Sequence, residues 1–250
     1  MMPALIRSKQ LPYAAALLFA LANNARGAPP APVPPLAETG FRPIFDGKSL
    51  SGWDCDTDFW RVEGGTVVGE SNPNHQPKQN TFCIWKGGQP GDFELKAEYR
   101  LTGTTDGNSG IQYRSVELPD VARWVMKGYQ FDIDLKQQYT GQIYEERGRG
   151  FLALRGQIAE VPNNEKSGSI GSLGESSELR KLIKDNDWNE IHLIARGNVL
   201  IQLLNGHVTS ILVDDDAAHR KMQGEIGIQL HRLPGVAMKI ETRNIRIKTY

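Results

Sequence analysis

The sequence is short of every feature that would make its function easy to read. It has no net charge, 29 basic side chains balancing 29 acidic ones across 250 residues, so no broad attraction to nucleic acid or anionic lipid is built in. It has only two cysteines, Cys55 and Cys83, too few for a zinc centre of the usual kind. No glycine-rich phosphate loop opens a helix and no Gly-x-Ser-x-Gly elbow occurs, which removes nucleotide-binding and serine-hydrolase readings. There is no repeat of 20 to 50 residues. Helical periodicity occurs once, and the one long apolar run, "LPYAAALLFALA" from Leu11, is too short to span a bilayer.

What is present begins with that run. Arg7 and Lys9 precede it and small residues follow it, the pattern of an export signal over residues 1–27 cleaved after Ala22 or Gly27. No cysteine follows directly, which argues against a lipid anchor. Residues 28–39 contain "APPAPVPP", a stiff extended tether, since proline cannot donate to a ladder or helix. Residues 40–250 then form one domain, a size common for a single β-sandwich. The expected location is periplasmic or secreted. Exported chains meet oxidants, so Cys55 and Cys83 either pair as a disulfide or remain two small buried hydrophobes.

Strand signals dominate the domain. In "FELKAEYRL" Phe93, Leu95, Ala97, Tyr99 and Leu101 share one face and charged residues the other, the period of a strand with one wet side. Gly64-Gly65 and Asn205-Gly206 lie between β-rich runs and predict hairpins. In "MKIETRNIRIKTY" the apolar phase changes after Thr242, which predicts a β-bulge near Arg243-Asn244. "SSELRKLIKDND" predicts the one short helix, capped by Ser176 or Ser177. Trp60 and Trp188 start alternating strands and are expected in the core, His192 on a wet face, and "VDDD" (Val213–Asp216) as a solvated turn. The fold class is therefore all-β: two antiparallel sheets in a jelly-roll or lectin-like sandwich with one short helix.

Seven ordered blocks, among them "GFRPIFDGKSLSGW", "GDFELKAEYRL", "NSGIQYRS", "GYQFDIDLKQQYTGQIYEERGRGFLA" and "WNEIHLIARGNVLIQLLNG", resemble the family of 3-keto-disaccharide hydrolases from about Gly40 to Lys248. The resemblance implies a concanavalin-like jelly roll in an exported protein acting on glycosides oxidised at C3. Two departures stand out. Asp132 occupies a position where many relatives carry glutamine or glutamate, and "HRLPGVAMK" is longer than the usual His-Gly-Pro turn.

The residues themselves point to the same region. In "GYQFDIDL", Gln130, Asp132 and Asp134 share the face opposite Tyr129, Phe131 and Ile133. Asn108, Gln112 and Arg114 take even positions on the preceding run, and Tyr144, Glu145, Glu146 and Arg147 follow. Polar side chains among aromatics suit a pyranose, which needs flat stacking faces and many hydrogen bonds. The expected catalytic set is Asp132 or Glu145 as base, Arg114 with Tyr144 at an enolate oxygen, and His231 donating to the leaving oxygen or orienting a carboxylate. Arg147, Asn108, Gln112, Gln130 and Trp124 are expected to bind substrate. The chemistry expected is removal of the C2 proton, elimination and water addition, with a non-catalytic lectin-like module as the alternative. A small carbohydrate is the expected partner, with no nucleic acid and no membrane span after cleavage. No cofactor or metal is called for, a divalent metal remaining open.

Overall fold

The computed structural model describes residues 39–104 and 106–250. The expected export signal and all but the last residue of the tether lie outside the described residues.

Among the described residues seventeen strands and one helix follow in order: β1 (Arg42–Pro43), β2 (Trp53–Asp54), β3 (Trp60–Glu63), β4 (Thr66–Ser71), β5 (Thr81–Trp85), β6 (Phe93–Gly103), β7 (Asn108–Glu117), β8 (Met126–Asp134), β9 (Ile143–Glu146) and β10 (Gly150–Ala153). Then come β11 (Gln157–Val161), β12 (Gly168–Ser172), α1 (Ser176–Arg180), β13 (Asn189–Arg196), β14 (Val199–Leu204), β15 (His207–Asp214), β16 (Glu225–Leu230) and β17 (Met238–Thr249). The larger sheet runs β12-β11-β15-β14-β13-β6-β17-β4-β3, with β1 beside β17, and the smaller runs β10-β9-β8-β7-β16-β5-β2. Every pairing is antiparallel except β11 with β15. This is a two-sheet jelly-roll sandwich.

Alternation builds the core. Phe93, Leu95, Ala97, Tyr99 and Leu101 of β6 meet Tyr113, Tyr129, Phe131 and Ile133 of β7 and β8 in one buried cluster between the sheets. Burying each such side chain contributes roughly 1.5–3 kcal/mol. Both expected hairpins form: Glu63 pairs Thr66 across Gly64-Gly65, and Leu204 pairs His207 across Asn205-Gly206. The β17 register shifts between Arg243 and Arg246, with Asn244 at φ 51°, so the expected bulge is present. Cys55 and Cys83 are bonded, their alpha carbons 4.2 Å apart, which ties the β2 end to β5.

Four local expectations are corrected. Helix α1 is shorter, and Glu175 precedes it without a side-chain cap, so neither serine caps it. Trp188 is not in the core; the guanidinium groups of Arg243 and Arg100 lie over its ring, at 3.8 and 4.9 Å. His192 is buried against Glu94 at 2.9 Å, because Glu94 and Lys96 on the supposed wet face of β6 are themselves covered. In "VDDD", Asp214 and Asp216 are buried rather than solvated. Among the described residues no helix is long and apolar enough to cross a membrane.

Candidate functional site

The smaller sheet has a second buried face, turned away from the core. Period-2 alternation sends Tyr129, Phe131 and Ile133 inward, so Gln130, Asp132 and Asp134 project outward. Register then aligns rows across the sheet. Gln229 of β16 sits opposite Gly110 of β7, which sits opposite Asp132; Gln112 sits opposite Gln130, which sits opposite Tyr144. Gly110 matters because a Cβ there would come within 2.5 Å of the Gln130 amide carbon. Without a side chain on Gly110, Gln130 can lie across β7.

An amide web results. Gln130 Nε2 donates to Asp132 Oδ1 (3.3 Å) and to Gln229 Oε1 (3.4 Å), while Gln112 Nε2 donates to Gln130 Oε1 (3.4 Å). Gln229 Nε2 in turn donates to Glu146 Oε2 (3.4 Å), whose other oxygen accepts from Asn80 Nδ2 (3.1 Å). Two carboxyl groups are thus joined through two glutamines. The bonds are long, and Gln112 Oε1 is buried without a partner, so the web has unused hydrogen-bonding capacity that a polar ligand could take up.

Burial sets the charges. Asp132 is 5% exposed; burial first, then the Asp134 carboxylate, pushes its pKa up to about 7, against the lowering effect of bonds from Gln130 and Asn108. Glu146 is also raised by burial, less the effects of Asn80, Arg147 and Gln229. Burial, with the fields of Glu146 and Asp132, holds the Tyr144 phenol up, so it remains a donor. His231 follows the end of β16, and burial lowers its pKa. Its Nδ1 lies 3.0 Å from the Arg232 carbonyl; a proton there leaves Nε2 as an acceptor.

A cavity of about 330 Å³ adjoins this face, lined by Asn108, His231, Tyr139, Asp106 and Lys136 among others. That volume is at the lower end of the range for small-molecule sites. Beside it is an aromatic platform. Phe151 of β10 lies 5.0 Å from Tyr144 and stacks with Tyr139 at 5.3 Å and 23°, and Phe151 and Tyr139 are both 40% exposed.

Asp132, Asn108, Gln112, Gln130 and Tyr144 share the face as expected, with His231 at its end. Four expected residues do not join them. Arg114 is buried elsewhere: a β7 bulge, with φ 47° at Arg114, breaks the alternation. Its guanidinium donates to the carbonyls of Gly91, Gly197 and Lys221 and to Asp92. Glu145 is opposite core-facing Tyr129 and so points inward. There it accepts from Arg149 Nε at 2.6 Å, and Arg149 also binds Asp214 at 2.7 Å. The sequence signal for this is Tyr144 itself, since a strand continuing through Glu146 must send Glu145 to the side opposite Tyr144. Arg147 is exposed and donates to Gln79 at 3.3 Å, at the rim rather than in the web. Trp124 lines a different hollow, its Nε1 donating to Asp54 at 2.8 Å.

Asp134, next in phase to Asp132, is structural. Its carboxylate accepts the backbone N–H groups of Gln138, Tyr139 and Thr140, each at 2.9 Å, and so shapes the loop that carries Tyr139. The residues that sequence reasoning missed are Gln229, Glu146 as a member of the face, and Asn80. Gln229 is two positions before His231 and was legible by phase; Asn80 arrives from a loop and was not. Among the described residues no group of three or more His, Cys, Asp or Glu is placed to hold a metal ion.

Comparison with known proteins bears on the fold and the family. No curated protein matches the chain. The structure is similar to a candidate glycosyl hydrolase from Parabacteroides distasonis, at 18% identity and TM-score 0.53, covering 84% of this chain and 99% of that one. A second from the same organism gives 16% identity and TM-score 0.51 over 84% and 94%. A Bacillus subtilis protein of unknown function with a galectin-like fold gives 10% identity and TM-score 0.52 over 80% and 90%. At such identities these likenesses concern the fold alone. The sequence itself matches one family over residues 40–248, nearly the whole described domain, and the chain therefore belongs to the family of 3-keto-alpha-glucoside-1,2-lyase-like domains.

Proposed function

We propose that this protein is a carbohydrate-active enzyme that cleaves the glycosidic bond of 3-keto-glycosides, with Asp132 as the base. The observation that carries the reading is Asp132 itself. It is a buried carboxyl on a polar sheet face, joined by glutamines to a second carboxyl, with a pKa of about 7. A base works best when its pKa is near the working pH.

The chemistry follows from the ketone. A carbonyl at C3 acidifies the C2 hydrogen, so Asp132 takes that proton and the electron pair flows toward the C3 oxygen. The Tyr144 hydroxyl, held protonated, and the side-chain amides of the web are the available donors for the oxygen as it gains charge. Collapse of the enolate forms the C1–C2 double bond and breaks C1–O, the pair leaving on the departing oxygen. Glu146, raised by burial, supplies that oxygen with a proton. Water then adds its hydroxyl to C1 and a proton to C2, giving the free 3-keto sugar. Arg114 takes no part, since its donors are spent on backbone carbonyls and Asp92.

The aromatic platform also favours a second reading, a binding module without turnover, because Tyr139, Phe151 and Tyr144 alone would hold a sugar face. Incubating the purified protein with a 3-keto-disaccharide and measuring released monosaccharide separates the two. Release at a rate proportional to protein supports the enzyme; saturable binding with no release supports the module.

A further inference from the structure

Glu146 reaches the polar face from β9, but one of its hydrogen bonds comes from outside the sheet. Asn80 ends the loop between β4 and β5, and its Nδ2 donates to Glu146 Oε1 at 3.1 Å, while Gln229 Nε2 donates to Oε2 at 3.4 Å. Gln229 Oε1 is turned to Gln130. Glu146 therefore meets the donor end of both amides, and neither can accept its proton.

The backbone sets the Asn80 amide. Arg232 N donates to Asn80 Oδ1 at 3.0 Å, and a backbone N–H cannot bond an amide nitrogen, so Oδ1 stays on Arg232 and Nδ2 turns to Glu146. The opposite orientation would set N–H against N–H at Arg232 and offer the Glu146 proton an acceptor. The same loop anchors the segment that carries Arg232: Gln76 Oε1 accepts from Leu233 N at 3.2 Å, and Gln76 Nε2 donates to the Val236 carbonyl at 2.8 Å. Gln76 thus holds the segment, and Asn80 holds both the segment and Glu146.

We infer that Asn80 is a positioning residue for the bond-breaking step: with its oxygen held by Arg232, it keeps a donor on Glu146 Oε1, so that the Glu146 proton goes to the departing oxygen and to no neighbour. The inference rests on the function proposed above. In that step Glu146 gives its O–H proton to the departing oxygen, which carries the electron pair of the broken C1–O bond. The carboxylate left behind keeps both amide donors, and these bind it more strongly than they bound the acid. Asn80→Asp reverses the arrangement. It keeps an oxygen for Arg232 N but faces Glu146 with an acceptor, so two carboxyls share one proton and the departing oxygen loses it.

The test compares kcat/KM on the methyl 3-keto-glucoside, whose alkoxide needs a proton to leave, with that on the 4-nitrophenyl 3-keto-glucoside, whose phenolate leaves without one. Asn80→Asp lowers it about tenfold to a hundredfold on the methyl substrate and less than about twofold on the nitrophenyl one, in protein with wild-type far-UV circular dichroism. Glu146→Gln shows the same selectivity, and the double variant loses no more than Glu146→Gln alone. Gln76→Ala, which loosens the segment but leaves the bond between Asn80 and Glu146 in place, changes the two substrates equally. Asn80→Leu nearly preserves volume and removes the donor, and it reports if Asn80→Asp does not fold. Equal losses on both substrates, losses that multiply with those of Glu146→Gln, or a selective loss in Gln76→Ala overturn the role of Asn80 while leaving the proposed function intact. Cleavage of neither substrate by wild type overturns the proposed function itself.

Discussion

Strands β8 and β9 carry two polar groups on opposite faces, and the two are bonded very differently. Inward, Glu145, Arg149, Asp214 and Tyr129 form a compact set: Arg149 bonds Asp214 through both terminal nitrogens at 3.0 and 2.7 Å, and Tyr129 donates to the same carboxylate. A Cβ on Gly148 would come within 2.5 Å of the Glu145 carboxyl carbon, so the turn is shaped around that group. Outward, Asp132 and Glu146 hang on amide bonds of 3.1 to 3.4 Å, and burial raises both carboxyls. Charge that is paired at short range holds the fold. Carboxyls that are buried and only loosely bonded remain ready to exchange a proton.

The largest effect that tests this contrast is at Asp132. Asp132→Asn is expected to lower kcat/KM about a thousandfold on a 3-keto-disaccharide, and in wild type kcat/KM should rise with pH through a midpoint near 7. Stability should move the other way. The folded carboxyl titrates near 7 and the unfolded one near 4, so its favourable contribution is complete below about pH 4 and is lost as pH rises through 7. Asp132→Asn should therefore raise Tm at pH 8 by about 10 °C and leave it unchanged at pH 4, as read by calorimetry. A flat pH–rate profile would remove Asp132 from the base role.

Next in size is Arg149→Ala, which strands Asp214 and Glu145 in the interior. Breaking a buried pair from one side costs about 3–5 kcal/mol, so Tm should fall by about 10 °C while turnover per folded molecule stays near wild type. Loss of turnover without loss of stability would mean that the inward group does chemistry.

Smaller still, and sharper, is the pair of neighbours. Glu146→Gln is expected to cut kcat about tenfold to a hundredfold with little change in Tm, whereas Glu145→Gln should lower Tm by a few degrees and leave kcat in place. Thermal melts beside steady-state rates on the two proteins decide it. An exchanged pattern would invert the assignment of faces.

The same residues say how much the sequence reveals. Alternation fixes a side chain's face wherever the ladder is regular, which is why Asn108, Gln112, Gln130 and Asp132 were legible together. It fails where the ladder slips: Arg114 is in phase with Gln112, yet the β7 bulge turns it toward Asp92 and the carbonyls of Gly91, Gly197 and Lys221. Glu145 was misread because it was grouped with Tyr144, although β9 continues through Glu146 and so sends the two neighbours to opposite faces. Asn80 had no local signal at all, because its place depends on where a loop after β4 meets the backbone of Arg232. The sandwich itself was legible because hairpin residues and apolar phase repeat many times, so no single slip changes the fold.

The most direct test of the central claim is hydrogen exchange at C2. Wild-type protein and Asp132→Asn are incubated with a 3-keto-disaccharide in deuterium oxide, and the released 3-keto sugar is read by proton NMR. Removal of the C2 proton predicts deuterium at C2 of the wild-type product, at a rate matching cleavage and beyond any exchange seen without protein, with both lost together in Asp132→Asn. Product released with its C2 hydrogen intact would contradict proton abstraction and point to direct displacement at C1.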